Sequence, residues 1–148
     1  MDKKQLISHL RAAKSAHIKW RSYAQALVAG LPVNDDQVPV IHTDCTFGKW
    51  YYGPGQRLSS LPAYHAIEAP HEALHGIYMQ IFKMLFEVEE TGFFQKLIGA
   101  SKKRDDRREQ LNALLNSLIE MSKTLLAAIE MLEQEVLHME DGEIAALI

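Results

Sequence analysis

The chain has 148 residues, which suits one domain with one core and not two. Hydrophobic residues at 47% and charged residues at 24% describe a chain that folds and leave no room for long disordered tails. With 16 basic and 19 acidic residues, the net charge of −3 gives no field for nucleic acid or an acidic membrane surface, so neither is expected as a partner.

Asp2, followed three residues later by Gln5, is a capping-box-like start. Leu6, Leu10, Ala13, His17, Trp20 or Ala24, and Leu27 then recur at spacings of three and four, which predicts a long amphipathic helix ending at Gly30-Leu31-Pro32. The start lacks the uninterrupted apolar centre of a secretory leader, and no later run approaches the roughly 18 apolar residues of a membrane span, so a cytoplasmic location and no membrane are expected. Pro32, Asn34-Asp35-Asp36 and Pro39 are loop chemistry. Thr43 or Asp44 is the expected cap of a short helix holding Cys45 to Tyr52, which Gly53-Pro54-Gly55 ends. Ser59 or Ser60 ahead of Leu61-Pro62 marks another start. Pro70 repeats the device, breaking the short segment before it and opening a helix with His71, His75, Tyr78, Phe82 and Leu85 on one face, to about Thr91-Gly92. After a shorter segment near Phe93 to Ile98 and the charged stretch Lys102 to Glu109, a last helix carries Leu111, Leu114, Leu118, Ser122, Leu125, Ile129, Leu132 and Val136. No stretch alternates with period two, so the fold class is all-α, an antiparallel four-helix-type bundle with short additional helices.

Chemistry concentrates in four residues. His71 and His75 are four apart on a helix, which sets both imidazoles on one face about one turn apart, the bite of a metal half-site. His17 is in register with the apolar stripe of the first helix, and a bundle core is where facing helices assemble metal sites. Cys45 is the only cysteine, which rules out an internal disulfide framework. At a helix start its thiolate is expected to be favoured by the local N–H groups and dipole, and further by a metal ion. Each of these residues also has an ordinary packing reading, a hydrogen-bonded core histidine or an inert buried thiol. His9, His42, His65 and His138 are assigned to surface or packing roles, with His42, three residues before Cys45, the best substitute ligand.

The stretch Asp44-Cys45-Thr46-Phe47-Gly48-Lys49-Trp50, with His17-x-x-Trp20 upstream and His71-Glu72-Ala73-Leu74-His75 downstream, resembles the chemoreceptor zinc-binding (CZB) domain family. That family's pattern is a histidine with a tryptophan three residues on, then Cys-x-Phe/Leu-Gly-x-Trp, then His-x-x-x-His. The resemblance is strongest over residues 9–90, within a single domain spanning 1–148. It implies Zn²⁺ held by His17, Cys45, His71 and His75, with Trp20, Phe47, Gly48 and Trp50 packed around the site. It also implies a sensory role in bacterial signal transduction, a homodimer, and a signalling partner from a chemoreceptor or cyclic-di-GMP system. Zinc occupancy, or oxidation of the zinc-bound thiolate by an oxidant such as hypochlorous acid, would be the signal. No signalling hairpin, membrane span or cyclase domain accompanies these blocks, so a stand-alone protein and an excised regulatory domain are both open.

Two rivals use the same residues. His71-Glu72-Ala73-Leu74-His75 is a literal His-Glu-x-x-His, which in a metallopeptidase supplies two zinc ligands and a glutamate base, with Glu87 or Glu90 as the third ligand. Four protein ligands leave no open coordination place, and no strand is available to hold an extended substrate, so no catalytic residue is expected. The other rival is a plain structural bundle that assembles through the Leu111–Val136 stripe.

Overall fold

The computed structural model describes residues 1–32, 39–86 and 100–147. Among these residues the secondary structure is helical: α1 (Lys3–Val28), α2 (Thr46–Tyr51), a 3₁₀ helix (Pro54–Leu58), α3 (Pro62–His65), α4 (Glu68–Phe86), α5 (Ala100–His138) and α6 (Asp141–Ala146). No described helix is long and apolar enough to cross a membrane.

The expected capping box opens α1: the Gln5 N–H donates to Asp2 Oδ1 at 2.8 Å, and the Asp2 N–H donates to Gln5 Oε1 at 2.9 Å. The helix closes on Gly30 at φ +86°, where the Leu31 N–H reaches back to the Ala26 carbonyl at 3.0 Å. This is the left-handed C-terminal turn that glycine adopts without a Cβ penalty. The middle of the chain needs two corrections. Cys45 itself, rather than Thr43 or Asp44, caps α2, its sulfur accepting the Gly48 N–H at 3.2 Å. α4 begins at Glu68, two residues ahead of Pro70, and the proline is absorbed in the first turn, where an N–H has no intrahelical partner to lose. The segment near Phe93 to Ile98 and the end at Thr91-Gly92 lie outside the described residues. The last long helix takes in the charged stretch, starting at Ala100, and a separate α6 follows a break at Met139-Glu140.

The expected all-α, antiparallel four-helix-type bundle is what the described residues form, with one arm built of short pieces. Arg11 Nε meets Glu133 Oε1 at 2.6 Å and Lys3 Nζ meets the Met139 carbonyl at 2.8 Å, so α1 and α5 run antiparallel. Arg107 donates to the Met84 carbonyl at 2.6 Å, which sets α4 antiparallel to α5 as well. α1 and α4 therefore run the same way, as the pairings of His17 with His71 and Trp20 with Tyr78 confirm. The returning arm is α2 and the 3₁₀ helix: Cys45 lies level with His71, Trp50 stacks on His9 at 5.1 Å, and Arg57 reaches the Leu147 carbonyl at the far end. Two tyrosines fasten the foot of this arm, the Tyr51 hydroxyl donating to the Tyr64 carbonyl (2.7 Å) and the Tyr64 hydroxyl to the Tyr51 carbonyl (2.5 Å).

Leu111, Leu118, Leu125, Ile129, Leu132 and Val136 of α5 are buried against Leu6, Leu10, Ala13, Ala24 and Leu27 of α1 and Leu74, Tyr78 and Ile81 of α4 in one cluster. The α5 stripe is thus consumed inside the bundle and is not a free dimer seam. Glu133, 3% exposed, is also buried on α5. Burial opposes its ionisation, but the bonds from Lys14 and Arg11 outweigh that cost and hold its carboxyl below the usual range. Truncating the fully buried Ile129 to Ala should cost about 2–5 kcal/mol in urea unfolding, while Met131→Ala, two residues away on the exposed face, should stay within about 0.5 kcal/mol. Equal costs at the two positions would contradict this core.

Candidate metal centre

Midway along the bundle, α1, α4 and the cap of α2 bring one donor atom each from His17, Cys45, His71 and His75 within 4.8 Å of one another. In a tetrahedral zinc site with Zn–N bonds of ~2.0–2.1 Å and a Zn–S bond of ~2.3 Å, neighbouring donors lie roughly 3.3–3.7 Å apart. Cys45 Sγ and His71 Nε2 already have that separation, at 3.4 Å. The chemistry of the set fits as well, since three imidazoles and one thiolate are a zinc donor set with every place filled by protein.

The imidazoles are aimed by backbone carbonyls. His17 Nδ1–H donates to the Ala13 carbonyl at 2.7 Å, one turn back on α1, and His75 Nδ1–H donates to the Val40 carbonyl at 2.8 Å. Each bond fixes a tautomer and turns Nε2 toward the centre, the arrangement that orients metal-binding histidines. His75 Nε2 and His71 Nδ1 are buried with no hydrogen-bond partner, a cost that a bound cation at Nε2 would relieve for His75. Aromatic rings wall the cluster: Phe47 stands edge-on to His71 (5.3 Å) and His17 (5.8 Å), and Trp20 lies 4.5 Å from the His75 ring.

The electrostatics favour neutral imidazoles. His17, His71 and His75 are 2%, 0% and 2% exposed. Burial pushes His71 down to about 2, with repulsion from the His17, His75 and His42 rings adding to it. Burial likewise takes His75 to about 4 against the opposing Val40 bond, and lowers His17 against the Ala13 bond. Neutral imidazole is the ligating form. Cys45 differs from expectation: burial raises its thiol, and the α2 N–H groups offset this only in part, while Asp44 adds to it. The helix start alone does not make it a thiolate; a metal ion would.

Gly48 is what lets the sulfur approach. A Cβ there would sit 1.9 Å from the His42 carbonyl oxygen, so the 42–45 turn and the first turn of α2 touch backbone to backbone. The same carbonyl accepts the Cys45 S–H at 3.5 Å. Of the other histidines, His9 stacks on Trp50, His65 bonds the Ser59 carbonyl and His138 the Gln134 carbonyl, as surface and packing residues do. His42 is half-buried, its ring edge-on to His71 and Tyr52. Glu72 is exposed and outside the donor cluster, and Glu87 and Glu90 lie outside the described residues.

Two outcomes follow from this geometry. Gly48→Ala should force the 42–45 turn away from α2 and weaken zinc binding by about tenfold or more in a chelator competition; wild-type affinity would contradict the close approach. Chelator-treated protein should lose stability on acidification. Because the three histidines are held below their ordinary 6.5, their contribution is complete above about pH 6.5 and falls as pH drops toward 4 and below. The loss should reach up to about 1.4 kcal/mol per pH unit for each histidine in its window. Urea midpoints at pH 7.5 and 5.5 check this, and a flat profile would contradict it.

No curated protein and no solved structure matches the chain. The family model described as the chemoreceptor zinc-binding domain matches residues 17–82, a span that opens on His17 and includes Cys45, His71 and His75. That span holds the three donor-bearing segments brought together in the fold, so the part of the chain that carries the cluster is the part similar to the chemoreceptor zinc-binding domain family.

Proposed function

We propose that the chain is a zinc-binding sensory module of bacterial signal transduction in which His17, Cys45, His71 and His75 ligate one Zn²⁺. The observation that carries this reading is the convergence of four donors from three separate segments within 4.8 Å. Bound zinc supplies a cross-link of α1, α4 and the α2 arm, so that metal-binding free energy becomes packing free energy. The whole chain, 1–148, acts as one domain, non-catalytic and cytoplasmic. It works as a homodimer and passes its state to a partner of the chemoreceptor or cyclic-di-GMP type.

The signal is zinc availability or oxidation of Cys45. Three ligands are sealed in the core, whereas Cys45 is half-buried, which makes its sulfur the accessible member of the set. With hypochlorous acid as oxidant, the thiolate gives two electrons and gains the OH group, forming a sulfenic acid as chloride leaves. Cys45 is also the cap of α2, so altering its sulfur loosens both the metal site and the Gly48 N–H that binds it. The peptidase reading has no support from Glu72, which faces solvent rather than the donors.

One equivalent of oxidant should speed hydrogen exchange over residues 39–52 in the zinc-loaded wild type. Cys45→Ser should bind zinc more weakly and show no oxidant-dependent change, while Glu72→Gln keeps its zinc. An unaltered oxidant response in Cys45→Ser would end the redox version, and peptide hydrolysis by the zinc-loaded wild type that Glu72→Gln abolishes would revive the peptidase.

A further inference from the structure

The ring centroids of the three donor imidazoles are separated by 4.7 Å (His71–His75), 4.9 Å (His17–His71) and 5.8 Å (His17–His75), at steep interplanar angles of 89°, 82° and 76°. A fourth imidazole, outside the four-donor cluster, lies beside one of these rings. The His42 ring lies 5.8 Å from His71 at 90°, so it is as near to His71 as two of the donor rings are to each other.

His42 is also held at that place by its neighbours in sequence. Two residues before it, the Val40 carbonyl takes the His75 Nδ1–H; three residues after it, Cys45 presents its sulfur. Its own carbonyl meets the Cys45 S–H and would collide with any side chain at 48. The 40–45 strap is therefore pinned at both ends to ligands, and the His42 ring is confined beside the centre at high effective concentration. While Cys45 is in place, the ring rests edge-on against Tyr52 at 5.9 Å, the Tyr52 hydroxyl being tied to Glu68 at 3.2 Å.

We infer that His42 is a reserve ligand: when the Cys45 sulfur is oxidised or missing, the His42 imidazole turns from Tyr52 into the vacated place and the metal stays in a four-imidazole site. The exchange breaks one metal–sulfur bond and forms one metal–nitrogen bond, with no electron transferred beyond the oxidation of the sulfur itself. It rests on the zinc site proposed above and adds a consequence for regulation. Oxidation frees the α2 cap without discarding the metal, so reduction of the sulfenic acid by two equivalents of an external thiol, which leave as a disulfide while the oxygen leaves as water, restores the resting state with no new zinc required.

The test is zinc competition with a chromogenic chelator for wild type, His42→Ala, Cys45→Ala and the double variant, joined to visible spectra of the Co²⁺-loaded proteins. His42→Ala leaves its backbone carbonyl in place and should weaken zinc by less than about threefold while Cys45 is present. In the Cys45→Ala background the same change should weaken zinc by about tenfold or more, the loss of a ligand, and replace a tetrahedral Co²⁺ spectrum by the weak bands of a water-rich site. Equal affinity of Cys45→Ala and the double variant would overturn the inference. Where Cys45→Ala fails to fold, zinc-loaded wild type and His42→Ala are compared after one equivalent of hypochlorous acid. Retention by the wild type and release by His42→Ala support the inference, and equal release overturns it. A strong loss in His42→Ala with Cys45 intact would also overturn it, by making His42 a resting ligand. Absence of zinc from the wild type would instead overturn the underlying site.

Discussion

Three imidazoles and a sulfur meet in the middle of an apolar helical bundle, and the rest of the molecule is arranged around satisfying them. A buried nitrogen without a partner costs free energy. The fold meets that cost only in part: Ala13 and Val40 each take one N–H, but His75 Nε2 is left with no protein partner. Protonation cannot supply the missing interaction, because burial and mutual repulsion hold the rings neutral. A cation at the common centre can. The cluster is thus an element of stability whose value depends on what occupies it, which is the physical requirement for a sensor.

The returning arm of the bundle explains how such a centre is coupled to structure. An uninterrupted helix in that position would pack as firmly as α1, α4 and α5. Instead the chain descends through a turn, the six-residue α2 and a 3₁₀ turn. This arm is fastened at its foot by the Tyr51–Tyr64 pair, and at its head by the Cys45 cap and the contact of Gly48 with the His42 carbonyl. Short helices draw little stability from their own hydrogen bonds. The sulfur accepts the Gly48 N–H and meets the His42 carbonyl and His71 Nε2, so much of what holds the head of the arm passes through it.

Much of this was legible in the residues. The α1 stripe, its Asp2–Gln5 box, the Leu111–Val136 repeat and the four-residue spacing of His71 and His75 are local patterns of period and capping, and each maps onto the structure directly. What was not legible depends on tertiary packing. Cys45 is a poor cap by composition, and it serves because Gly48 permits a backbone contact that no local pattern encodes. The expected thiolate-favouring helix start was outweighed by burial, a property of the assembled core. The charged stretch before Leu111 was placed ahead of the last helix but is part of α5, because Asp105, Asp106, Arg108 and Glu109 lie on an exposed face, which tolerates charge without an apolar stripe. α6 was missed, although Glu140 and Glu143 form a capping box with an uncommon cap residue. The spacing of His42 to Cys45 marked it as the best substitute ligand, but its place beside His71 comes from the turn that the strap makes.

X-ray absorption at the zinc edge, on protein purified without added metal, reads the donor set itself. About one zinc per chain is expected, with one sulfur at ~2.3 Å and three nitrogens at ~2.0–2.1 Å. A zinc shell with no sulfur, or one completed by oxygen, would contradict it.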